Sequence, residues 1–142
     1  MRIKIFNIEK NKKDIDMESP LVWAYVGDAV FELFIRIELL NKSKAKPNKL
    51  HFESIKMVSA KAQTHILEEI ENILTDEEKD IVRKGRNSKP KTFAKNASVK
   101  EYLKATGFEA LIGYLFLIKE NERLDEILNY VKTEYFNKNV DL

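Results

Sequence analysis

Apolar residues recur along the chain with the three-to-four-residue spacing of amphipathic helices, and no segment alternates long enough to predict a strand. The most apolar segment follows Ser19 and Pro20, which suit a helix N-cap and the first helical position. Few polar residues interrupt it between Leu21 and Leu40. We therefore predict a central helix that is buried nearly all round and ends in a loop over residues 41–47.

Two further helices are predicted in the middle of the chain. The first runs from about residue 48 to residue 74, where the apolar positions keep a helical period. The second starts at Thr75, because Glu78 three residues later completes a capping box, and it ends near Gly85. Glycine, proline and other turn-forming residues then predict a loop over residues 85–97.

The last third of the chain predicts two more helices. One opens with a capping box at Ser98 and runs to about Lys119. Its two glycines, Gly107 and Gly113, each cost a helix roughly 1 kcal/mol relative to alanine, which indicates that another helix approaches closely there. An amphipathic helix over about residues 123–137 follows. Residues 1–17 are compatible with either an extended arm or an irregular lead-in.

The length of 142 residues and the helical pattern together predict one all-α domain spanning residues 1–142. Hydrophobic residues make up 44% of the chain and charged residues 34%, which is typical of a globular protein. The absence of cysteine excludes disulfides, zinc–thiolate sites and cysteine nucleophiles. No apolar run suits a signal peptide or reaches the roughly 18 residues that span a membrane, so we expect a cytoplasmic protein without membrane contact.

Charge is unevenly distributed although the net charge is only +2. Seven acidic residues and one lysine lie between Glu68 and Asp80, whereas seven basic residues and no acidic one lie between Ile81 and Lys100. Such a basic block is a candidate surface for binding phosphate, and a solvated loop is the equally simple alternative.

Two carboxylates occur where the apolar pattern predicts burial, Asp28 in the first long helix and Glu109 in the helix that follows the basic block. A buried carboxylate is unfavourable unless it is paired or binds a cation. The structural alternative is an ion pair or a hydrogen bond to a helix end. Gly27 leaves room for close approach beside Asp28, and Mg²⁺ favours one or two protein carboxylates with water and phosphate. Asp28 and Glu109 could supply such a pair.

Other polar residues on these helices favour structural interpretations. Glu32 lies one turn after Asp28. We expect it to form an ion pair with Arg36 or to contact the residues that bind the metal without binding the metal itself. His51 and His65 have no metal-like neighbours in the sequence. No nucleophile elbow and no glycine-rich phosphate loop is present.

Two motifs resemble the signatures of the ribonuclease III family. The segment AYVGDAVFELFI, residues 24–35, is similar to the first signature, and FEALIGYLFL, residues 108–117, is similar to the second. The order and the spacing also match. The length of the chain and the run RKGRN at residues 83–87 resemble the Mini-ribonuclease III branch, which consists of a catalytic domain without a double-stranded RNA-binding domain.

Two positions depart from the larger family. Ala24 and Thr106 stand where most members have a glutamate and an aspartate, so a cluster of four carboxylates is reduced to Asp28 and Glu109. The Mini branch resembles this chain in both substitutions. They leave open how many metal ions bind and how tightly.

The resemblance implies a Mg²⁺-dependent endoribonuclease that hydrolyses double-stranded RNA, with Mn²⁺ as a possible substitute. Asp28 and Glu109 would be the catalytic and metal-binding residues. The family also implies a homodimer, to which bulky residues of the first helix (Trp23, Phe31, Phe34) add weight, and the 23S ribosomal RNA precursor as substrate. The expected RNA contacts are Arg83, Lys84, Arg86, Asn87, Lys89, Lys95 and Asn96.

Two other functions remain open from the sequence. A non-catalytic module that binds double-stranded RNA is favoured by the missing carboxylates at Ala24 and Thr106, and opposed by the retention of Asp28 and Glu109. A helical interaction protein without a nucleic-acid partner is the weaker alternative.

Overall fold

The computed structural model describes residues 5–88 and 98–140, and these residues fold into helices without a strand, which confirms the predicted all-α class. Shorter turns of a different kind follow two of the helices: a 3₁₀ turn over Glu71–Ile73 and a π-helical turn over Lys132–Phe136. The α-helices are α1 (Lys12–Asp16), α2 (Pro20–Lys42), α3 (Pro47–Met57), α4 (Ala60–Ile70), α5 (Asp76–Asn87), α6 (Val99–Leu117), α7 (Asn121–Val131) and α8 (Asn137–Asn139).

Side-chain caps start α2, α5 and α6 at the residues that the sequence predicts. The Ser19 hydroxyl accepts from the N–H of Leu21 at 3.2 Å, and Pro20 occupies the first helical position. At the start of α5, the Thr75 hydroxyl and the Glu78 carboxylate complete the predicted capping box. Each cap satisfies backbone donors that a helix leaves without an internal partner.

The region predicted as one helix over residues 48–74 is instead two helices that meet at a corner, so this prediction is wrong. Val58 ends α3, and the Ser59 hydroxyl caps α4 by accepting from the N–H of Ala62 at 3.1 Å. Serine at this position competes with the helical backbone for hydrogen bonds, which the apolar period does not reveal. The corner turns α4 onto α6, where the Thr64 hydroxyl donates to the carbonyl oxygen of Glu101.

The two most apolar helices, α2 and α6, form the antiparallel centre of the fold. Phe31 of α2 packs edge-to-face on Phe108 of α6, with ring centroids 5.0 Å apart, and Trp23 packs in the same way on Tyr114 at 4.9 Å. Trp23 and Phe31 are 2% and 0% exposed. The bulk of Trp23 and Phe31 is therefore buried within one chain, so these two residues add no weight to the expected homodimer.

Glycines bring α2 and α6 into backbone contact. A Cβ atom built on Gly27 would lie 1.8 Å from the carbonyl oxygen of Glu109, and one built on Gly113 would lie 1.8 Å from the carbonyl oxygen of Trp23. Gly107 makes a similar contact with α5, where an added Cβ would lie 2.8 Å from the carbonyl oxygen of Val82. The close approach predicted from these glycines is confirmed.

The segment before α2 is held against the central pair. The Trp23 indole N–H donates to the carbonyl oxygen of Ile15 at 2.8 Å, and the Tyr114 hydroxyl donates to the carboxylate of Asp16. Part of the lead-in is the short helix α1 rather than an extended arm, and its residue Ile15 is buried. No helix within the described ranges, 5–88 and 98–140, is long and apolar enough to cross a membrane.

A methyl group at Gly27 should be very destabilising. We expect Gly27→Ala to lower the free energy of unfolding by about 3 kcal/mol or more, because the added carbon meets backbone that cannot move aside. Arg36→Ala, which removes an exposed ion pair from the same helix, should change it by less than about 1 kcal/mol. Urea denaturation monitored by circular dichroism measures both. Equal midpoints for the two variants would contradict the close backbone contact at Gly27.

Candidate active site

Asp28 and Glu109 meet because the helices that carry them touch. Gly27 precedes Asp28 in α2 and lies against the backbone of Glu109 in α6, so the two side chains leave the helix–helix contact next to each other. The carboxylates are close enough to interact directly. The pairing that the sequence predicts is therefore present in the fold.

The two carboxyl groups differ in their exposure. Glu109 is partly buried, whereas Asp28 is exposed to solvent, so the prediction that both are buried is wrong for Asp28. The apolar residues that surround Asp28 in the sequence include side chains on the outer side of α2, among them Tyr25, which is 80% exposed. The site thus combines the partly buried carboxyl group of Glu109 with the exposed carboxyl group of Asp28.

The surroundings of Glu109 disfavour its ionised form. Burial, followed by a hydrogen bond with Asp28 and the negative charge of Asp28, raises the pKa of Glu109 from 4.5 to about 8. A hydrogen bond from the Gln63 amide acts in the opposite direction. Within the part of the chain that the structure describes, no third histidine, aspartate or glutamate joins the pair to make a metal-binding cluster.

Ala24 and Thr106, which stand where most family members have carboxylates, are both buried. Ala24 and Thr106 are 7% and 6% exposed, and the Thr106 hydroxyl donates to the carbonyl oxygen of Tyr102 in its own helix. Glu32 pairs with Arg36 at 3.5 Å, as expected for a structural role.

Four of the expected RNA contacts lie together on the exposed side of the last turns of α5. Arg83, Lys84, Arg86 and Asn87 are all exposed. Arg83 and Lys84 both pair with Asp80, which reduces the free positive charge at this end of the helix. The helix extends two residues further than predicted, through Asn87. Lys89, Lys95 and Asn96 lie outside the described residues.

Gln63 is a residue of the site that the sequence did not single out. It lies on the buried side of α4, and its side-chain nitrogen donates to Oε2 of Glu109 at 3.4 Å. The available signal is its position three, four and seven residues before Ile66, Leu67 and Ile70, which makes it a polar residue on an apolar helix face.

Comparison with known proteins identifies the family to which this chain belongs. Residues 21–120 match the model of the Ribonuclease III domain, which includes both Asp28 and Glu109. A Mini-ribonuclease 3 of Clostridium tetani is 46% identical over 136 residues, covering 95% of this chain and 90% of the relative. The chain belongs to the Mini-ribonuclease III branch of the ribonuclease III family.

Other relatives agree with this assignment. A Mini-ribonuclease 3 of Thermoanaerobacter sp. is 51% identical over 110 residues, covering 78% of each chain. A crystal structure of a Fusobacterium nucleatum protein superposes with a TM-score of 0.75 at 36% identity, covering 85% of this chain and 97% of that one. Membership of the Mini-ribonuclease III branch makes the chain a ribonuclease III-type endoribonuclease.

The raised pKa of Glu109 predicts how pH affects the stability of the metal-free protein. The folded state binds a proton at Glu109 more tightly than the unfolded state, so this stabilisation is complete below pH 4.5 and is lost as the pH rises to about 8. Glu109→Gln removes the ionisation. We expect this variant to gain roughly 1–3 kcal/mol over the wild type at pH 8.5, a value reduced by the partial exposure of the carboxyl.

Urea unfolding in EDTA at pH 5.5 and pH 8.5 measures this difference. Asp28→Asn is a second variant, because loss of the neighbouring charge lowers the pKa of Glu109 and should flatten the pH dependence. Parallel pH profiles for wild type and Glu109→Gln would refute the raised pKa of Glu109, and parallel profiles for wild type and Asp28→Asn would refute the coupling between the two carboxyl groups.

Proposed function

We propose that this endoribonuclease is Mg²⁺-dependent, cuts double-stranded RNA, and uses Asp28 and Glu109 as its catalytic and metal-binding residues. The observation that carries the proposal is the contact between these two carboxyl groups at the surface where α2 and α6 touch. Two adjacent carboxylates repel each other, and a cation between them would relieve both the repulsion and the burial of Glu109.

The residues present fit a hard divalent cation. Carboxylate oxygens are the ligands that Mg²⁺ prefers, and a site with two protein carboxylates leaves positions for water and for phosphate oxygens of a substrate. Mn²⁺ accepts the same oxygen ligands and is expected to substitute. When bound, the ion would supply positive charge that favours hydrolysis of a phosphodiester.

Asp28 and Glu109 contribute to the proposed site in different ways. Asp28 is exposed, so an RNA backbone can reach it without opening the fold. Glu109 is partly buried and is held in position by the backbone contact with Gly27 and by the Gln63 amide. For Glu109 to bind a cation its carboxyl must lose a proton, so metal affinity rises with pH up to about 8.

The exposed end of α5 is proposed to contact the RNA backbone. Arg86 has no ion-pair partner within the described residues, whereas Arg83 and Lys84 share Asp80, and the neighbouring amide of Asn87 is exposed. Phosphate contacts of this kind carry little sequence information, and they weaken as salt concentration rises. The proposed substrate, the 23S ribosomal RNA precursor, and a cytoplasmic location are supported by the family resemblance.

A homodimer is proposed from an exposed apolar stripe on α2. Val22, Tyr25, Leu33, Ile37 and Leu40 are between 40% and 80% exposed and recur with helical spacing along one side of the helix. A contiguous exposed apolar patch is typical of a protein–protein interface. Because Asp28 lies in the same helix next to Tyr25, a second subunit on this stripe would bring two active sites into one assembly.

Tyr25→Asp should convert the proposed dimer to a monomer. A charge within the stripe would be desolvated on association, so the sedimentation mass should fall from twice the chain mass of 16.6 kDa to that mass. Met17→Asp is a matched control, because Met17 is equally exposed, at 80%, and lies outside α2. A wild type that sediments as a monomer at micromolar concentration would refute the dimer.

Cleavage of a double-stranded stem from the 23S ribosomal RNA precursor tests the proposed function. We expect the wild type to cut with Mg²⁺ and not with EDTA, and Asp28→Asn to lose at least about a hundredfold in rate while keeping its fold. Arg36→Ala is the control on the same helix and should cut at nearly the wild-type rate.

The second candidate function is a module that binds double-stranded RNA without cutting it. It is favoured by the buried Ala24 and Thr106, which leave the site with two carboxylates. Equal binding of the stem by wild type and Asp28→Asn, with no cleavage by either, would support this module. Equal cleavage by both would overturn the assignment of Asp28.

A further inference from the structure

Gln63 is a polar side chain buried between the helices that build the site. It is 2% exposed, and its helix α4 packs on α6 beside Glu109. A buried amide in such a position requires hydrogen-bond partners for two donor hydrogens and one acceptor oxygen.

The two donor hydrogens have backbone and carboxylate partners. The side-chain nitrogen of Gln63 donates to the carbonyl oxygen of Val58 at 3.0 Å and to Oε2 of Glu109 at 3.4 Å. Both partners are acceptors, so the nitrogen, and not the oxygen, must face them. Val58 ends α3, where helix carbonyls lack internal partners, so the backbone fixes the orientation of the amide.

The acceptor oxygen of Gln63 is left without a partner. Oε1 is fully buried and accepts no hydrogen bond from the described residues. An unsatisfied buried acceptor is unfavourable, and in native proteins such groups are commonly satisfied by an ordered water. A hydrated cation at the adjacent Glu109 carboxylate would bring water with it, because Mg²⁺ keeps several waters when it binds to protein.

We propose that Gln63 is a positioning residue for the cation, one that orients the Glu109 carboxylate through its nitrogen and accepts a hydrogen bond from a water of hydration through its oxygen. This inference rests on the proposed function, because it requires a divalent cation at Asp28 and Glu109. The long 3.4 Å bond to Glu109 fits this role, since hydrogen bonds at catalytic sites often shorten only when the site is loaded.

A purely structural role for Gln63 makes a different prediction. In that case the amide only ties the corner between α3 and α4 to α6, and its loss lowers stability without changing metal affinity. Ser59 offers a matched control at the same corner, because its hydroxyl caps α4 and donates to the carbonyl oxygen of Lys56 without contacting Glu109.

Titration calorimetry with Mn²⁺ alone distinguishes the two roles. Gln63→Met keeps a similar volume but removes both donors and the acceptor, and we expect its dissociation constant for Mn²⁺ to rise by about tenfold or more. Ser59→Ala should lower the melting temperature and bind Mn²⁺ with wild-type affinity. The Mg²⁺ concentration for half-maximal cleavage should rise for Gln63→Met, with kcat at saturating Mg²⁺ affected less.

Wild-type Mn²⁺ affinity in folded Gln63→Met would overturn the inference, as would equal weakening by Ser59→Ala. Gln63→Leu, which also lacks hydrogen-bonding atoms, serves for the same comparison if the methionine variant does not fold. Failure of the proposed function is separate, because it appears as wild-type protein that neither binds Mn²⁺ nor cuts RNA.

Discussion

The backbone contact between α2 and α6 is the constraint on which the site depends. At Gly27 and Gly113 there is no side chain between the helices, and each glycine faces a carbonyl oxygen of the other helix. The distance between the helix axes is therefore fixed by main-chain atoms rather than by side chains that can change rotamer. Asp28 and Glu109 inherit their proximity from this contact.

The stability of the metal-free fold favours a protonated Glu109, whereas binding of a cation requires the ionised carboxylate. A pKa of about 8 at Glu109 shows that ionising this group in the folded protein is unfavourable. The side-chain oxygen of Gln63, which has no hydrogen-bond partner among the described residues, is a second unfavourable group, and the nitrogen of the same amide donates to Glu109. Two such groups in one place, in a core that is otherwise well packed, are typical of a binding site that is completed by its ligand.

The sequence predicts the long helices well because local signals and burial agree there. Ser19 and Thr75 act as caps where expected, and the glycines of α6 mark real contacts. The break at Ser59 is missed because one serine weakly interrupts a strong apolar period. Gln63 is missed because its partner, Glu109, is 46 residues away and reaches it only through the fold.

Exposure along α2 is the other property that the sequence does not determine. A helix that is apolar nearly all round is equally compatible with complete burial and with one uncovered side. In the structure one side of α2 is uncovered: Phe31 is buried, whereas Tyr25 is exposed. Asp28 is therefore at the surface. Periodicity alone lacks this information because residues on both sides of α2 are apolar.

The carboxylate of Glu78 both caps α5 and links α5 to α7. It completes the cap of α5 through the backbone N–H of Thr75, and it accepts two hydrogen bonds from Arg123 of α7, both 2.8 Å long. Burial raises the pKa of Glu78, but the bonds from Arg123 and Thr75 outweigh it and lower the pKa overall. The stabilisation is thus present above the unfolded pKa and is lost as acid protonates the folded carboxyl. A single protonation would release the start of α5 and its connection to α7 together, so acid would loosen this side of the molecule as one cooperative unit.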